Sequence, residues 1–254
     1  MNHSTTVIGH ERIHLTTVDS TNDYTQEMLS KSSPLEGTVI TADFQTKGKG
    51  QIGRYWHSEA GKNLLVSCIL YPDFILPRNQ YLLNMSMALG VKQFIDLHSN
   101  VSSEIKWPND IYINHKKIAG ILIQNTLMGK SISHSIVGIG ININQTHFPN
   151  EIPNPTSLAL QDGRSRSLKD LYFSLFECLN NSYNTLRKDG PLVYLKYHNA
   201  LYLKDVESTF YQDGFEFKGK IRRVDHSGQI SIELNSGELR KFAFREIQFK
   251  LTPS

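Results

Sequence analysis

The stretch KGKGQIGRYW, residues 47–56, decides which phosphate-binding folds this chain can form. Thr38–Phe44 before it is rich in β-branched residues and Asn63–Tyr71 after it is apolar, so both segments are predicted strands. The glycines match the G-x-G-x-x-G dinucleotide fingerprint, but that fingerprint requires a helix to begin at the third glycine. No helix fits before the next strand, and the chain has neither a P-loop motif nor the HRD and DFG motifs of protein kinases. Three common phosphate-binding folds are therefore excluded.

The glycine loop, residues 47–56, is also strongly cationic, with Lys47, Lys49 and Arg54 beside its glycines. Backbone amides freed by glycine, together with cations, favour a site for an anion. A solvated and mobile hairpin tip is the alternative, and this stretch alone leaves both interpretations open.

Composition limits the class of protein. The chain has 254 residues, 39% of them apolar and 20% charged, which is typical of a globular protein. A net charge of +3 is too small to indicate nucleic-acid binding. Cys68 and Cys178 lie far apart in apolar segments and are predicted core thiols rather than metal ligands. The N-terminus has no signal-peptide pattern and no apolar run could span a bilayer, so we expect a cytoplasmic protein without membrane or DNA contacts.

The predicted elements divide the chain into two parts. Strands and helices of ordinary length, including a largely buried helix over Asn79–Leu97 and another over Ser167–Arg187, occupy residues 1–203. Residues 204–254 contain short alternating segments separated by turns such as Asp213-Gly214, which predicts a small β-barrel or sandwich. We therefore expect a main domain followed by a small β domain.

A second cluster of motifs lies downstream of the glycine loop. It consists of IKWPND (residues 105–110), KKIAGIL (116–122) and VGIGIN (137–142). Pro108 fixes a turn, so Lys106, Asp110 and Lys117 are predicted at neighbouring strand ends, as a cation–acid–cation group suited to phosphate and magnesium. A solvated surface salt bridge is the alternative.

Glycines within these predicted strands need a separate explanation, because glycine weakens a strand unless something must approach closely. Gly120, Gly138 and Gly140 are the three cases. A flat bicyclic ligand on the sheet face would explain them, and packing against a bulky side chain is the alternative.

Together with VDSTN (residues 18–22) and the glycine loop, these three motifs resemble the biotin protein ligase family in order and spacing. The resemblance implies an α+β fold, with a mixed sheet flanked by helices as in class II aminoacyl-tRNA synthetases and a C-terminal SH3-like barrel. It implies that the protein activates biotin with ATP and Mg²⁺ to biotinyl-5′-AMP and transfers it to a lysine of a biotin carboxyl carrier domain. No tightly bound cofactor is implied.

The resemblance also implies site residues. The biotin-binding residues are Ser20, Thr21, Asn22, Gln45, Gly48, Lys49, Gly50, Gln51, Lys117 and Gly120. The ATP-binding residues are Lys49, Arg54, Trp56, Asn109, Asp110 and Asn142. The catalytic group is Lys106, Asp110 and Lys117, with Asp110 as the magnesium ligand. Ser20 could instead only cap a helix, and Trp56 could be a core anchor rather than a stacking partner of adenine.

Two departures from the family pattern matter. The family loop commonly reads G-R-G-R-x-G-R, with arginines where this chain has Lys49 and Gln51. Lys49 keeps the positive charge but lacks the bidentate guanidinium of arginine, and Gln51 has no charge, so Arg54 or Lys47 would have to compensate. About a dozen residues precede the first predicted strand, so we expect no DNA-binding domain. A lipoate–protein ligase and a non-catalytic biotin sensor remain as alternatives, while the acceptor carboxylase and a homodimeric state stay open.

Overall fold

The structure is a computed structural model that describes residues 8–51 and 53–250. The strands are β1 Arg12–Val18, β2 Val39–Gln45, β3 Asn63–Leu70, β4 Glu104–Lys106, β5 Asp110–Ile113, β6 Lys116–Met128, β7 Ser131–Asn142, β8 Glu207–Gln212, β9 Phe215–Val224, β10 Ile230–Leu234, β11 Leu239–Phe242 and β12 Gln248–Phe249. The α-helices are α1 Thr21–Lys31, α2 Tyr81–His98, α3 Leu158–Asp162, α4 Leu168–Lys188 and α5 Gly190–Asn199. A single 3₁₀ turn, Pro77–Asn79, precedes α2.

The main sheet has seven strands in the order β1-β2-β3-β7-β6-β5-β4. β1 and β2 are parallel and the other neighbours are antiparallel, so the sheet is mixed, as predicted. Every residue of β3 is buried, because the sheet is covered on both faces at its centre. The apolar segment after the glycine loop is thus a central strand, and the loop itself connects β2 to β3.

The helices flank this sheet. α1 packs against β2, β3 and β7, whereas α2 contacts β4, β5 and β6 and packs closely on α4 and α5. The apolar side chains of α2 are largely buried, including Leu83, Val91 and Phe94, which confirms the predicted buried helix. Cys68 and Cys178 are buried in the same core, as predicted, and burial raises the pKa of the Cys178 thiol to about 11.

After α5 the chain forms a second, antiparallel sheet in the order β11-β10-β9-β8-β12. Its buried side chains form one continuous hydrophobic cluster with those of the main sheet. Trp107 Nε1 donates a hydrogen bond to the carbonyl of Gly228 at 2.9 Å, and the Val224 amide donates to His198 Nε2 at 2.9 Å. The β-rich C-terminal segment predicted from the sequence therefore packs directly against the turn that carries the IKWPND motif.

Across residues 8–51 and 53–250 no helix is long and apolar enough to cross a membrane.

Candidate active site

The predicted motifs meet at one cavity of about 1020 Å³. Of the site residues predicted from the sequence, all except Gly48 line it. The C-terminal segment also contributes to its wall, through Phe244, Arg245 and Ile247 between β11 and β12 and through Gln248 and Phe249 of β12. The cavity is therefore built from both sheets, and the sequence interpretation assigned residues only from the first.

One end of the cavity is a polar network beneath α1. The backbone amide and the hydroxyl of Thr21 donate to Gln45 Oε1 at 2.7 and 3.0 Å. Ser67 Oγ lies 2.7 Å from Thr21 Oγ1 and donates to Asn22 Oδ1 at 2.6 Å. Asn22 Nδ2 donates in turn to Gln124 Oε1 at 2.9 Å. Because Gln45 Oε1 is occupied, the amide orientation is fixed and Gln45 Nε2 remains as a hydrogen-bond donor toward a ligand.

Ser20 stands at the N-cap position of α1, but its side chain makes no capping hydrogen bond. The interpretation of Ser20 as a helix cap through its side chain is therefore wrong. Its side chain is 2% exposed and lines the cavity beside Thr21 and Asn22. The hydroxyl is consequently available to a ligand at the same end of the cavity as Gln45.

The described residues of the glycine loop form a small hairpin that borders the cavity, and Gly53, Arg54 and Tyr55 at its tip are exposed. Gly50 N donates to the Arg54 carbonyl at 3.0 Å, and Trp56 N donates to the Gly48 carbonyl at 2.9 Å. Gln51 Nε2 donates to Asn109 Oδ1 at 2.7 Å, which ties the loop to the IKWPND turn. Two distant motifs are thus joined across the mouth of the cavity by a neutral amide pair.

The loop lysines face α1. Lys49 Nζ lies 2.5 Å from Asp23 Oδ1, and Lys47 Nζ lies 2.9 Å from Asp19 Oδ2. The hydrogen bond from Thr46 and the ammonium of Lys47 lower the pKa of Asp19. Lys49 and Arg54 line the cavity but Lys47 does not, so of the two cations expected to compensate for the neutral Gln51 only Arg54 borders it.

Trp56 lies on the sheet face, over two of the strand glycines. A Cβ added at Gly140 would overlap the indole, and one added at Gly120 would approach the ring to 3.1 Å. At Gly138, an added Cβ would overlap the side chain of Asn22. The glycines therefore make room for protein side chains, which confirms the packing alternative for their presence. Trp56 Nε1 is buried without a hydrogen-bond partner, so the indole retains a donor inside the cavity.

Strand register assembles the charged group. Lys106 pairs with Asp110 across β4 and β5, and Asp110 pairs with Gly120 across β5 and β6. Lys117 Nζ reaches back to Asp110 Oδ1 at 2.7 Å, and the two side chains are only 29% and 17% exposed. This ion pair lines the cavity, so the alternative of a solvated surface salt bridge is wrong.

Lys106 is held differently from Lys117. Its ammonium lies over the Phe249 ring, 4.4 Å from the centroid, and 5.4 Å from the centroid of Tyr112. Burial lowers the pKa of Lys106, an effect opposed by Asp110 and reinforced by the positive charges of Lys117 and Arg54.

Two asparagines complete the nucleotide end predicted from the sequence. Asn109 donates through Nδ2 to the carbonyl of Ile121, which fixes its Oδ1 toward Gln51. Asn142 donates to the Thr156 carbonyl at 2.9 Å, and its Oδ1 is buried without a partner. Asn142 lines the cavity, and its Oδ1 is an acceptor left for a donor that the described side chains do not supply.

The fit of magnesium rests on Asp110. Among the described residues, no three His, Cys, Asp or Glu side chains cluster as a metal cage. Mg²⁺ is usually bound by one or two carboxylates together with substrate phosphates and waters, so a single carboxylate beside a phosphate site is sufficient.

The sequence interpretation missed residues that fix the site from other elements. Ser67 and Gln124 hold the polar network, and Tyr112 and Phe249 flank Lys106. Ser67 and Gln124 lie in apolar or alternating strands with no motif around them. Phe249 is 143 positions after Lys106, so only the packing of the two sheets reveals the contact.

Comparison with known proteins gives a consistent result. The sequence model described as the biotin/lipoate A/B protein ligase family matches residues 15–142. The bifunctional ligase/repressor BirA of Bacillus subtilis is 32% identical over 244 residues, covering 92% of this chain and 72% of the relative. A biotin protein ligase from Aquifex aeolicus, solved in complex with biotin and ATP, superimposes with a TM-score of 0.78 at 27% identity. That comparison covers 96% of this chain and 100% of the other.

A biotin protein ligase from Leishmania major, solved with biotinyl-5-AMP, has a TM-score of 0.63 at 20% identity and covers 92% of this chain and 99% of the other. At that identity the likeness concerns the fold, which is the mixed sheet flanked by helices described above.

Proposed function

The chain belongs to the biotin/lipoate A/B protein ligase family, and from this premise we propose how its cavity performs ATP-dependent biotin ligation to a carrier-domain lysine. The observation that carries the proposal is the presence of two different sites in one cavity. An oriented amide with hydroxyls lies at one end, at Gln45, Thr21 and Ser20, and the Lys106–Asp110–Lys117 row lies beyond it. The first suits a ureido ring and the second suits a carboxylate meeting a phosphate.

The reaction needs two steps, because an amine cannot displace oxygen from a free carboxylate. In the first step a carboxylate oxygen of biotin attacks the α-phosphorus of ATP, and pyrophosphate leaves. In the second step the carrier lysine amine attacks the acyl carbon, the amide forms, and AMP leaves with the bonding electrons. Both partners of the first step are anions, so cations must hold them together.

The proposed roles follow from position. Gln45 Nε2 and the Ser20 hydroxyl bind the ureido group, Thr21 keeps the Gln45 amide oriented, and Asn22 lines the same end of the cavity. Lys117 neutralises the biotin carboxylate and the α-phosphate, and its pairing with Asp110 holds the ammonium in place before the substrates arrive.

Nucleotide binding is assigned to the opposite wall of the cavity. Asn109 and Asn142 are proposed to bind the nucleotide, with Arg54 and Lys49 at its phosphates and Trp56 beside it. Magnesium, bound by Asp110 and the phosphates of ATP, would offset the charge of those phosphates. The side chains of this chain then need only orient the reactants and exclude water.

The architecture is proposed in finer terms on the same premise. We assign residues 1–203 to a catalytic domain like those of class II aminoacyl-tRNA synthetases and residues 204–254 to an SH3-like barrel. The partner is the biotin carboxyl carrier domain of a biotin-dependent carboxylase. Since ATP is a substrate, the proposal places the protein in the cytoplasm. Sedimentation of the protein with and without biotin and ATP would measure its oligomeric state.

The test is incubation of the protein with biotin, Mg-ATP and a generic biotin carrier domain, followed by intact mass measurement. The expected result is a mass gain of one biotinyl group on the carrier, and no gain when the carrier lysine is replaced by arginine. Transfer of lipoate in place of biotin would indicate a lipoate–protein ligase. Binding of biotin with no ATP–pyrophosphate exchange would indicate a non-catalytic sensor.

A further inference from the structure

The contact between Lys106 and the C-terminal sheet calls for a function, because a lysine ammonium is costly to bury without a carboxylate in direct contact. Within the described residues, the Lys106 ammonium makes no ion pair or hydrogen bond, and it lies over the Phe249 and Tyr112 rings. Asp110 sits opposite it in the β4–β5 hairpin but pairs with Lys117 instead. Two aromatic faces thus take the place of a counter-ion.

Phe249 is itself fixed by the core of the C-terminal sheet. It pairs with Phe210 across β12 and β8, and the two rings meet edge to face with centroids 5.2 Å apart. Phe210 is fully buried, and the Lys250 amide, next to Phe249, donates to the Thr209 carbonyl at 3.0 Å. The ring over Lys106 is therefore held in place from behind.

A cation over an aromatic face remains attracted to an incoming anion, because the ring supplies no charge that the anion must displace. A carboxylate partner would neutralise the ammonium and compete with a phosphate. Lys106 also lines the cavity, so a phosphate oxygen in the cavity can reach the ammonium.

We propose that Phe249 is a positioning residue for ATP binding, which holds the Lys106 ammonium unpaired and directed into the cavity, so that docking of the C-terminal sheet completes the phosphate site. This inference rests on the proposed function, since it takes the anion at Lys106 to be a phosphate of ATP. Phe249 also lines the cavity, so the experiment has to separate its action through Lys106 from any contact of its own with the ligand.

The first experiment compares Phe249→Leu, which removes the π face, with Phe249→Tyr, which keeps it. We measure the affinity of a non-hydrolysable ATP analogue in the presence of biotin, the affinity of biotin alone, and the KM for ATP in pyrophosphate exchange. Phe249→Leu should weaken ATP-analogue binding by about ten- to thirty-fold and raise the KM for ATP, as expected for a desolvated cation–π contact. Biotin affinity should be unchanged, and Phe249→Tyr should bind the analogue as the wild type does.

Phe215→Leu is the matched control, since Phe215 is on β9 of the same sheet, 78% exposed and away from the cavity. An equal loss of analogue binding in Phe215→Leu and Phe249→Leu would overturn the proposal, because the effect would then belong to the sheet as a whole. So would equal losses in Phe249→Leu and Phe249→Tyr. Thermal unfolding of each variant shows whether the protein is folded at the assay temperature.

A double-mutant cycle separates positioning from general packing. Lys106→Met alone should weaken analogue binding, and adding Phe249→Leu to it should cause no further loss, because the ring has no ammonium left to hold. If the double variant lost analogue affinity by the product of the two single-variant losses, the proposal would be contradicted, even if Phe249→Leu reduces stability. A different outcome would refute the proposed function, namely the absence of biotin-dependent pyrophosphate exchange in the wild-type protein. That outcome is distinct from a failure of this inference, which shows only in the variants.

Discussion

Lys117 carries the largest expected effect of any single residue. Its ammonium is 2.7 Å from Asp110 and 5.6 Å from the centroid of the Trp56 ring, at the junction of the two ends of the cavity. Lys117→Ala should lower biotin-dependent pyrophosphate exchange by roughly a hundred- to a thousand-fold, about 3–4 kcal/mol, because it removes the ammonium proposed to neutralise both the biotin carboxylate and the α-phosphate. Biotin binding should be reduced far less.

The control for this variant is Lys116→Ala, on the same strand but outside the cavity lining. Exchange should stay close to wild type in Lys116→Ala. Exchange near the wild-type rate in Lys117→Ala would remove Lys117 from the proposed mechanism.

Gln51 is the residue that departs from the common family loop, and the structure places it at the cavity mouth with its amide on Asn109. Gln51→Arg should slow the release of biotinyl-5′-AMP by roughly ten- to thirty-fold, since a guanidinium can hold phosphate oxygens by two parallel charge-assisted hydrogen bonds. Gln51→Lys adds charge without the fork and should give a smaller effect. The rate of biotinyl-5′-AMP dissociation after rapid dilution distinguishes the two variants from each other and from the wild type. An unchanged dissociation rate in Gln51→Arg would mean that Arg54 already fills the anion site.

At the scale of elements, the strand glycines of β6 and β7 determine where Trp56 can lie. Gly140→Ala would drive a methyl group into the indole ring, which lies directly over this position. Gly190→Ala, at the start of α5, meets no atom within 4 Å and is the matched control. Gly140→Ala should lower the free energy of unfolding by about 1–3 kcal/mol and shift the fluorescence of Trp56, whereas Gly190→Ala should leave both near wild type. Identical behaviour of the two variants would contradict the packing explanation.

Local patterns in the sequence were sufficient for the elements and for the motif residues. β3 and α2 were predictable because continuous apolar runs are usually buried. The grouping of Lys106, Asp110 and Lys117 was predictable because the Pro108 turn and two short hairpins keep these residues close in sequence. For Ser20 the sequence left helix capping and ligand binding open, since the same hydroxyl can face either the helix amides or a cavity. Ser20 is the N-cap residue of α1, but its side chain makes no capping hydrogen bond.

The contacts that could not be predicted join residues far apart in the chain. Ser67 meets Asn22, and Phe249 meets Lys106, only because the strand order β2-β3-β7-β6-β5-β4 and the docking of the second sheet bring them together. Neither pairing leaves a signal in a single sequence. The site residues that the sequence analysis did not identify are therefore those that orient other side chains, whereas those that belong to motifs were identified.

At the scale of the whole molecule, the two sheets meet at the turn of the IKWPND motif. Gly228 accepts a hydrogen bond from Trp107 Nε1, and its Cα faces the ring of Tyr81, where an added Cβ would come within 2.6 Å. The Tyr81 hydroxyl donates to the Pro108 carbonyl at 2.5 Å, and burial holds its pKa well above the usual range. Docking of the C-terminal sheet is thus linked through one side chain to the turn that carries Asn109.

Gly228→Ala tests this link, with Gly237→Ala as its control. Both glycines have positive φ, +94° and +84°, so both substitutions carry a similar backbone cost of about 1 kcal/mol, but Gly237 meets no atom within 4 Å. Gly228→Ala should additionally displace Tyr81 and loosen the docked sheet, which should weaken ATP binding and carrier biotinylation while biotin affinity remains close to wild type. The hydrogen bonds at the biotin end of the cavity join residues of α1, β2, β3 and β6, and none of them involves Gly228, Trp107 or Tyr81. Calorimetric titration of both variants with biotin and with an ATP analogue measures the two affinities. Equal losses of affinity for the two ligands in Gly228→Ala would show that the interface supports the whole fold rather than the nucleotide end of the site.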